Sequence, residues 1–245
     1  KNGLGDLVTA LTQRLTEQGV GLQLGKRVEA LRVRSHELGR WTYDLILHDG
    51  SVLSAEGVVL ATPAYVSADL LRPLTPIAGG VLDLIPYTST ATIAMTFTRA
   101  MVRGVEGFGF IVPRAEQRDL IAATWTSLKW PHRAPADQLL VRGYVGGVGR
   151  EEILQLDDAA LTSKVRAELA ALCGISVEPT YTEVNRWWKA MPQYTIGHLD
   201  RLAQLDAALS RYPGLVLTGA GYRGVGIPDC IRDGASAAER VVQDL

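Results

Sequence analysis

Leu215-Val216-Leu217-Thr218-Gly219-Ala220-Gly221-Tyr222-Arg223-Gly224-Val225-Gly226-Ile227-Pro228 is the stretch on which the fold turns. Its unbroken apolar start reads as a short strand buried on both faces. Glycines follow at once, and Pro228 sits where a helix begins, at a position whose N–H would be unpaired anyway. Strand, glycine loop and helix in that order are α/β grammar. Gly219-x-Gly221-x-x-Gly224 also has the spacing of the dinucleotide fingerprint. That fingerprint needs a second strand and an acidic residue about 20 positions further on. Only 21 residues follow Gly224, and an Ala-rich helix over about 228–245 uses them. The loop is therefore not an adenosine site. Two readings stay open for it: a plain strand-to-helix connection capped by Asp229, or a cradle whose free amides and helix dipole face an electron-rich ligand edge.

Outward from this loop, Gly197–Tyr212 reads as a helix carrying Leu199, Leu202, Leu205 and Leu209. At the other end of the chain, Leu4, Leu7, Val8, Leu11 and Leu15 fall at helical spacing with Gly19 as a stop. Extended stretches are expected at Val20–Leu24, Arg27–Val33, Trp41–Leu47 and Val52–Ala55, with Asp49-Gly50 as a hairpin turn. Val58-Val59-Leu60-Ala61 is another doubly buried strand, and Ala64–Leu71 a short helix. The middle is different. Thr88–Thr98 alternates polar and apolar residues at period 2, and Phe108–Val112, Leu120–Thr126 and Leu139–Gly146 are further short strands without intervening helices. That pattern implies an antiparallel sheet with one face covered. Asp158–Cys173 is a helix with Leu161, Val165, Leu169 and Leu172 as its stripe, and Thr180–Trp188 is extended. The expected architecture is α/β plus antiparallel β: 1–63 and 196–245 form one domain, and 64–195 is a mainly antiparallel insertion.

Composition removes several classes of function. The 245 residues hold 25 Lys+Arg against 26 Asp+Glu, so no basic field supports nucleic-acid binding. Cys173 and Cys230 are far apart, and His36, His48 and His132 share no ligand spacing, so no metal site is expected. A reducing, cytoplasmic setting is the expectation. No apolar run reaches the roughly 18 residues of a membrane span, and no Gly-x-Ser-x-Gly elbow offers a hydrolase nucleophile. The chain opens at Lys1 without Met, directly into an amphipathic pattern, as a cut edge would.

Several segments carry a resemblance. The stretch from Gly219 to Glu239 resembles the C-terminal flavin segment of protoporphyrinogen oxidases, and Met191-Pro192-Gln193-Tyr194-x-x-Gly197-His198 is similar to their Pro-Gln-Tyr-x-x-Gly-His motif. Val58–Pro63, the opening Gly3-Leu4-x-x-Leu7 element and Trp125-x-Ser127-x-Lys129-Trp130-Pro131-x-Arg133-Ala134-Pro135 also fit. The resemblance is to the C-terminal half of the oxygen-dependent protoporphyrinogen oxidase and coproporphyrinogen III oxidase family, part of an FAD/NAD(P)-binding, amine-oxidase-like (GR2) flavoprotein. It implies non-covalent FAD, hydride removal from a porphyrinogen to the flavin, and reoxidation by O2 in haem biosynthesis. It also implies that adenosine-binding and much membrane-binding structure lie in an N-terminal half, with peripheral membrane contact and product hand-off to a ferrochelatase. By the same resemblance Val28 meets the adenine end, Trp188 stands close to the flavin, and Val225, Gly226 and Ile227 lie along the flavin and ribityl chain. The sequence departs from the family at Asp233-Gly234-Ala235, where a Ser-Gly-Arg-like stretch is common.

Lys129, His132 and Arg133 form a small basic group. Lys129 and Arg133 are either partners for tetrapyrrole propionates or an ordinary solvated turn. His198 reads as a structural hydrogen bond or a cap, Cys230 as a packed small residue. No general base is assigned. The alternatives are an amine oxidase or phytoene desaturase-like flavoenzyme, and a non-enzymatic tetrapyrrole-binding module.

Overall fold

The computed structural model of the protein describes residues 3–35 and 41–245; Lys1 and His36 lie outside the described residues. Helix α1 (Gly5–Glu17) precedes strands β1 (Val28–Ser35), β2 (Trp41–Leu47), β3 (Val52–Ala55) and β4 (Val58–Leu60), then helices α2 (Ala64–Leu71) and α3 (Pro76–Asp83). Strands β5 (Tyr87–Thr98), β6 (Gly109–Ile111) and β7 (Leu120–Trp125), the short helix α4 (Thr126–Lys129) and β8 (Gln138–Gly146) follow. Helix α5 (Asp158–Cys173), β9 (Tyr181–Pro192), α6 (His198–Leu209), β10 (Leu215–Leu217) and α7 (Ile227–Asp244) come last.

These elements form two compact units, Lys1–Pro86 with Pro192–Leu245, and Tyr87–Met191. The inserted part is thus shorter than the expected 64–195. Helices α2 and α3 belong to the outer unit because α3 packs on α6 and the Tyr212 hydroxyl donates to Leu74 C=O at 2.6 Å. Sequence reasoning passed over α3 since Gly79-Gly80 lowers its helix propensity. Thr75 caps it, accepting from the Ala78 N–H, and burial of Val81 and Leu82 overrides the glycine cost.

In the outer unit β1, β2 and β3 form an antiparallel meander, closed at Asp49-Gly50 by a Gly50 N–H bond to Leu47 C=O at 2.9 Å. Tyr43, fully buried in β2, donates its hydroxyl to Pro213 C=O at 2.6 Å, and burial raises its pKa above the ordinary phenol range. Strand β10 pairs in parallel with β4, Leu215 opposite Val58 and Leu217 opposite Leu60. All of β10 is buried, but Val59 in β4 is 42 % exposed, so the expected double burial of β4 fails on one face. The pair has no third strand among the described residues, and nothing among them covers the face on which Val59 lies. No strand forms over Val20–Leu24 either. Gly19 and Gly25, both at positive φ, bracket the segment, and Val20, Leu22 and Leu24 are exposed with nothing to pair against.

The inner unit is a five-stranded sheet in the order β6-β7-β8-β5-β9. The first three pairings are antiparallel. Thr180 N–H reaches Thr96 C=O and Lys189 N–H reaches the Ser89 hydroxyl, so β9 also runs against β5. Period 2 then separates two faces. Ala91, Ile93 and Met95 point into a core closed by Leu161, Val165 and Leu169 of α5. Asp157 caps α5, accepting from Ala160 N–H at 2.7 Å, and Gly174 ends it at φ +70°. Leu172, expected in the stripe, is 39 % exposed in the last turn. Among the described residues no helix is long and apolar enough to cross a membrane.

Candidate flavin loop and substrate face

Buried β10 delivers the chain to Gly219 at the edge of its sheet, and α7 starts at Ile227 with Gly226 as an N-cap that offers no side-chain acceptor. The first intrahelical bond runs from Cys230 N–H to Gly226 C=O at 2.9 Å. The amides just before it have no intrahelical acceptor, as at every helix start. Val225 is 61 % exposed and Ile227 45 %. The loop therefore presents apolar side chains and free backbone donors on one rim. Gly224 has φ +143°, and a Cβ there would stand 2.4 Å from Asp229 Cβ, so only glycine permits this approach of loop to helix.

Three side-chain anchors hold the loop. The Asp233 carboxylate, buried in α7, accepts from the Thr218 hydroxyl at 2.7 Å and Gly219 N–H at 3.1 Å. Arg223 lies 3.8 Å from the same carboxylate and grips Asp206 of α6 with two bonds of 2.8 and 2.9 Å. Buried Tyr222 reaches the Ser67 hydroxyl of α2 at 3.2 Å. The Asp233-Gly234-Ala235 stretch thus supplies the residue that fixes the loop's entry.

The Pro-Gln-Tyr segment reaches the same loop. The Tyr194 hydroxyl donates to Ala220 C=O and accepts from Gly224 N–H, both at 2.8 Å. The Tyr194 ring stacks on His198, whose Nε2 donates to Tyr222 C=O at 2.7 Å. His198 is 7 % exposed and its Nδ1 has no partner. Donation to a carbonyl puts a proton on Nε2. Of the two readings of His198, structural hydrogen bond or cap, the structure has the first: the ring holds the loop's carbonyl, while Gly197 is the N-cap of α6.

Within the inner unit, the sheet face opposite α5 lines a cavity of about 810 Å³. Thr90, Thr92 and Tyr144 lie on its floor strands, and Ile111, Val148 and Trp187 give it apolar walls. Among the described residues, Arg114 and Arg150 are its only charged lining residues. Strand β9 is kinked at Lys189, a non-glycine residue at φ +44°, and Ala190 and Met191 beyond the kink also face the cavity.

Of the residues expected at a site, Val225, Gly226 and Ile227 are brought together on the loop rim. Val28 is half-buried in the meander, a different sheet from that of β10. Trp188 is 50 % exposed in β9 and lies outside the cavity lining, where its neighbour Trp187 stands instead. Lys129 and Arg133 are on an exposed turn after β7, away from that lining, with the Lys129 ammonium 4.5 Å from the Trp130 ring centroid. Sequence reasoning did not single out Arg114, Arg150 or Asp233. Neither arginine had a local signal, while Asp233 lay in a stretch noted only for departing from a pattern.

Residues 1–242 match the family described as flavin containing amine oxidoreductase. Coproporphyrinogen III oxidase of Bacillus subtilis (strain 168) is 38 % identical over 233 residues, covering 94 % of this chain and 49 % of its own length. The enzyme of the same name from Staphylococcus aureus (strain NCTC 8325 / PS 47) is 32 % identical, covering 100 % and 52 %. A solved structure from Exiguobacterium sp. 255-15, provisionally assigned as a protoporphyrinogen oxidase, superposes with a TM-score of 0.83 at 29 % identity, over 96 % of this chain and 51 % of that one. The chain spans about half the length of the curated relatives it matches. With its parallel β4–β10 pair, glycine loop and inserted antiparallel sheet, the chain belongs to the flavin-containing amine oxidoreductase family.

Proposed function

We propose that this chain provides the flavin-facing loop and the substrate-facing sheet of an FAD-dependent oxidase that converts a porphyrinogen to the porphyrin with O2. The observation that carries the reading is the Gly219–Gly226 loop locked by Tyr194 and His198, which joins the two sequence segments most particular to this branch of flavin enzymes.

The residues present fit a flavin edge. Gly224 and Gly226 let backbone approach a flat ring without Cβ atoms, and the start of α7 offers about half a positive charge where negative charge develops. Exposed Val225 and Ile227 supply apolar contact at the same rim. When bound, FAD would supply two-electron oxidation, repeated three times to take a porphyrinogen to the porphyrin, with one O2 reduced to H2O2 in each cycle. This chain's part is to hold the loop amides rigid through Asp233, Tyr194 and His198, and to offer an apolar sheet face to a large flat substrate. The cavity is within the size range of small-molecule sites, about 300–1,000 Å³. No side chain here is assigned as general base. Val28, at the adenine end, and Trp188, near the ring, complete the cofactor contacts of this reading. A cytoplasmic setting, peripheral membrane contact and product hand-off to a ferrochelatase also belong to it and rest on the resemblance alone.

The test uses the protein as expressed from its native reading frame. A flavin absorption band and O2-dependent formation of fluorescent porphyrin are expected. A colourless, inactive protein overturns the reading. Turnover of amines or carotenes without porphyrinogen turnover favours the neighbouring oxidase classes instead.

A further inference from the structure

Arg114 and Arg150 differ from the ion-paired arginines of the inner unit. Arg118, Arg166 and Arg186 each face a carboxylate: Glu168, Glu178 and Asp158 respectively. Of the acids nearby, Asp119 is engaged by Lys164 and Glu151 by the Ser89 N–H, while Glu152 shares a separate polar pocket with Arg150. Arg114 and Arg150 make no ion pair among the described residues. Their guanidinium groups are held by neutral carbonyls. Arg114 Nη2 donates to Val148 C=O at 3.0 Å, Arg150 Nη1 to Arg118 C=O at 3.0 Å, and Arg150 Nη2 reaches Arg114 C=O at 3.5 Å. These bonds tie the β6–β7 loop to the loop after β8 and bring both side chains to one rim of the cavity.

Two positive charges thus border an apolar cavity that has no acid in its lining. Carbonyl bonds orient a guanidinium without neutralising it, and its planar fork matches carboxylates in pairs of parallel hydrogen bonds. Walls such as Ile111 (81 % exposed) and Trp187 (53 % exposed) are an uncovered apolar surface of the kind that marks a binding site. The complementary ligand has a broad apolar body and carboxylates along an edge. A porphyrinogen has that form.

We propose that Arg114 and Arg150 bind the carboxylates of the tetrapyrrole at the sheet cavity and make the site selective for the free acid. The identity of the tetrapyrrole rests on the function proposed above; the charge complementarity rests on the cavity alone. The role foreseen for Lys129 and Arg133 passes to this pair, because only this pair lines the cavity.

The test compares coproporphyrin III with its tetramethyl ester, by porphyrin fluorescence titration, on the native-frame protein and four variants: Arg114→Gln, Arg114→Lys, Arg150→Gln and Arg150→Lys. Each Gln variant is expected to weaken binding of the acid at least tenfold, about 1.4 kcal/mol, while ester binding changes less than threefold. Each Lys variant recovers part of the loss. With the corresponding porphyrinogens, KM for the acid rises and kcat holds. An unchanged acid-to-ester preference in both Gln variants overturns the assignment. So does an equal loss of acid and ester in all four, which marks a packing role. Acid-selective, arginine-dependent binding without any porphyrinogen turnover sustains the arginine assignment and overturns the oxidase reading instead.

Discussion

The rings of Tyr194 and His198 stack with centroids 4.0 Å apart and planes 14° from parallel. Each then reaches a different part of the glycine loop, Tyr194 at Ala220 and Gly224, His198 at Tyr222. Two side chains four residues apart at the start of α6 thereby restrain three loop residues. The restraint is directional: it fixes where the amides ahead of α7 point, which is what binding the edge of a flat cofactor requires.

Tyr194→Phe tests this brace. Phenylalanine keeps the stack on His198 and removes both loop bonds. Because Tyr194 is 43 % exposed, water can replace part of what is lost. A stability loss of about 1 kcal/mol is expected in urea unfolding. Flavin affinity, measured by fluorescence quenching on the native-frame protein, should fall about tenfold, ~1.4 kcal/mol. An affinity equal to wild type would show that the brace does not position the loop.

Two glycines of the same segment should respond in opposite directions. Gly224→Ala places a Cβ 2.4 Å from Asp229 Cβ at φ +143°, so a loss of roughly 2–4 kcal/mol and of bound flavin is expected. Gly234→Ala lies inside α7 with nothing within 4 Å of the new atom. It should gain about 0.5–1 kcal/mol from helix propensity. Thermal melts of the two variants side by side decide the matter.

Asp233→Ala leaves the Thr218 hydroxyl and the Gly219 N–H without their acceptor in a buried setting. A cost of about 2–3 kcal/mol follows from the desolvation of those donors. Asp233→Asn keeps an acceptor for Thr218 and loses the charge facing Arg223, so its cost should be smaller. If urea midpoints for the two variants coincide, the carboxylate's hydrogen bonds are not what secures the loop entry.

Asp49 gives a pH signature remote from the site. Hydrogen bonding from Lys26 first, then from the Ser51 side chain and backbone, holds its carboxyl below the ordinary Asp value. A depressed folded-state pKa stabilises the fold fully above the unfolded pKa, about 3.9, and that contribution disappears as pH falls through the lower folded value. Asp49→Asn should therefore melt at lower temperature than wild type at about pH 7, with the gap closing below about pH 3. A gap independent of pH would contradict the assignment.

Much of the fold could be read locally. The period-2 alternation of Thr88–Thr98 became β5, with Ala91, Ile93 and Met95 inside and Thr90 and Thr92 on the cavity side. The apolar run at 215–217, the glycines and Pro228 became β10, loop and α7. Val20–Leu24 looked the same as a strand to a local reading, but a strand needs a neighbour and this segment has none among the described residues. Helix α3 erred the other way, since packing rather than propensity forms it.

The site divides along the same line. Sequence by itself determined which backbone could approach a cofactor, because the conformational freedom of Gly224 and the fixed φ of Pro228 are properties of single residues. It also marked Tyr194 and His198, through resemblance, as part of a family-like motif. Only the tertiary structure decided how they act. Tyr194 meets Gly224 across 30 positions, and Asp233 reaches back to Thr218 across 15. Arg114 and Arg150 are 36 residues apart on two loops, each indistinguishable in sequence from a solvated surface charge. What marks them is that both line one apolar cavity and that, among the described residues, no carboxylate lines it with them. Both are facts about neighbours in space, which no spacing along the chain encodes.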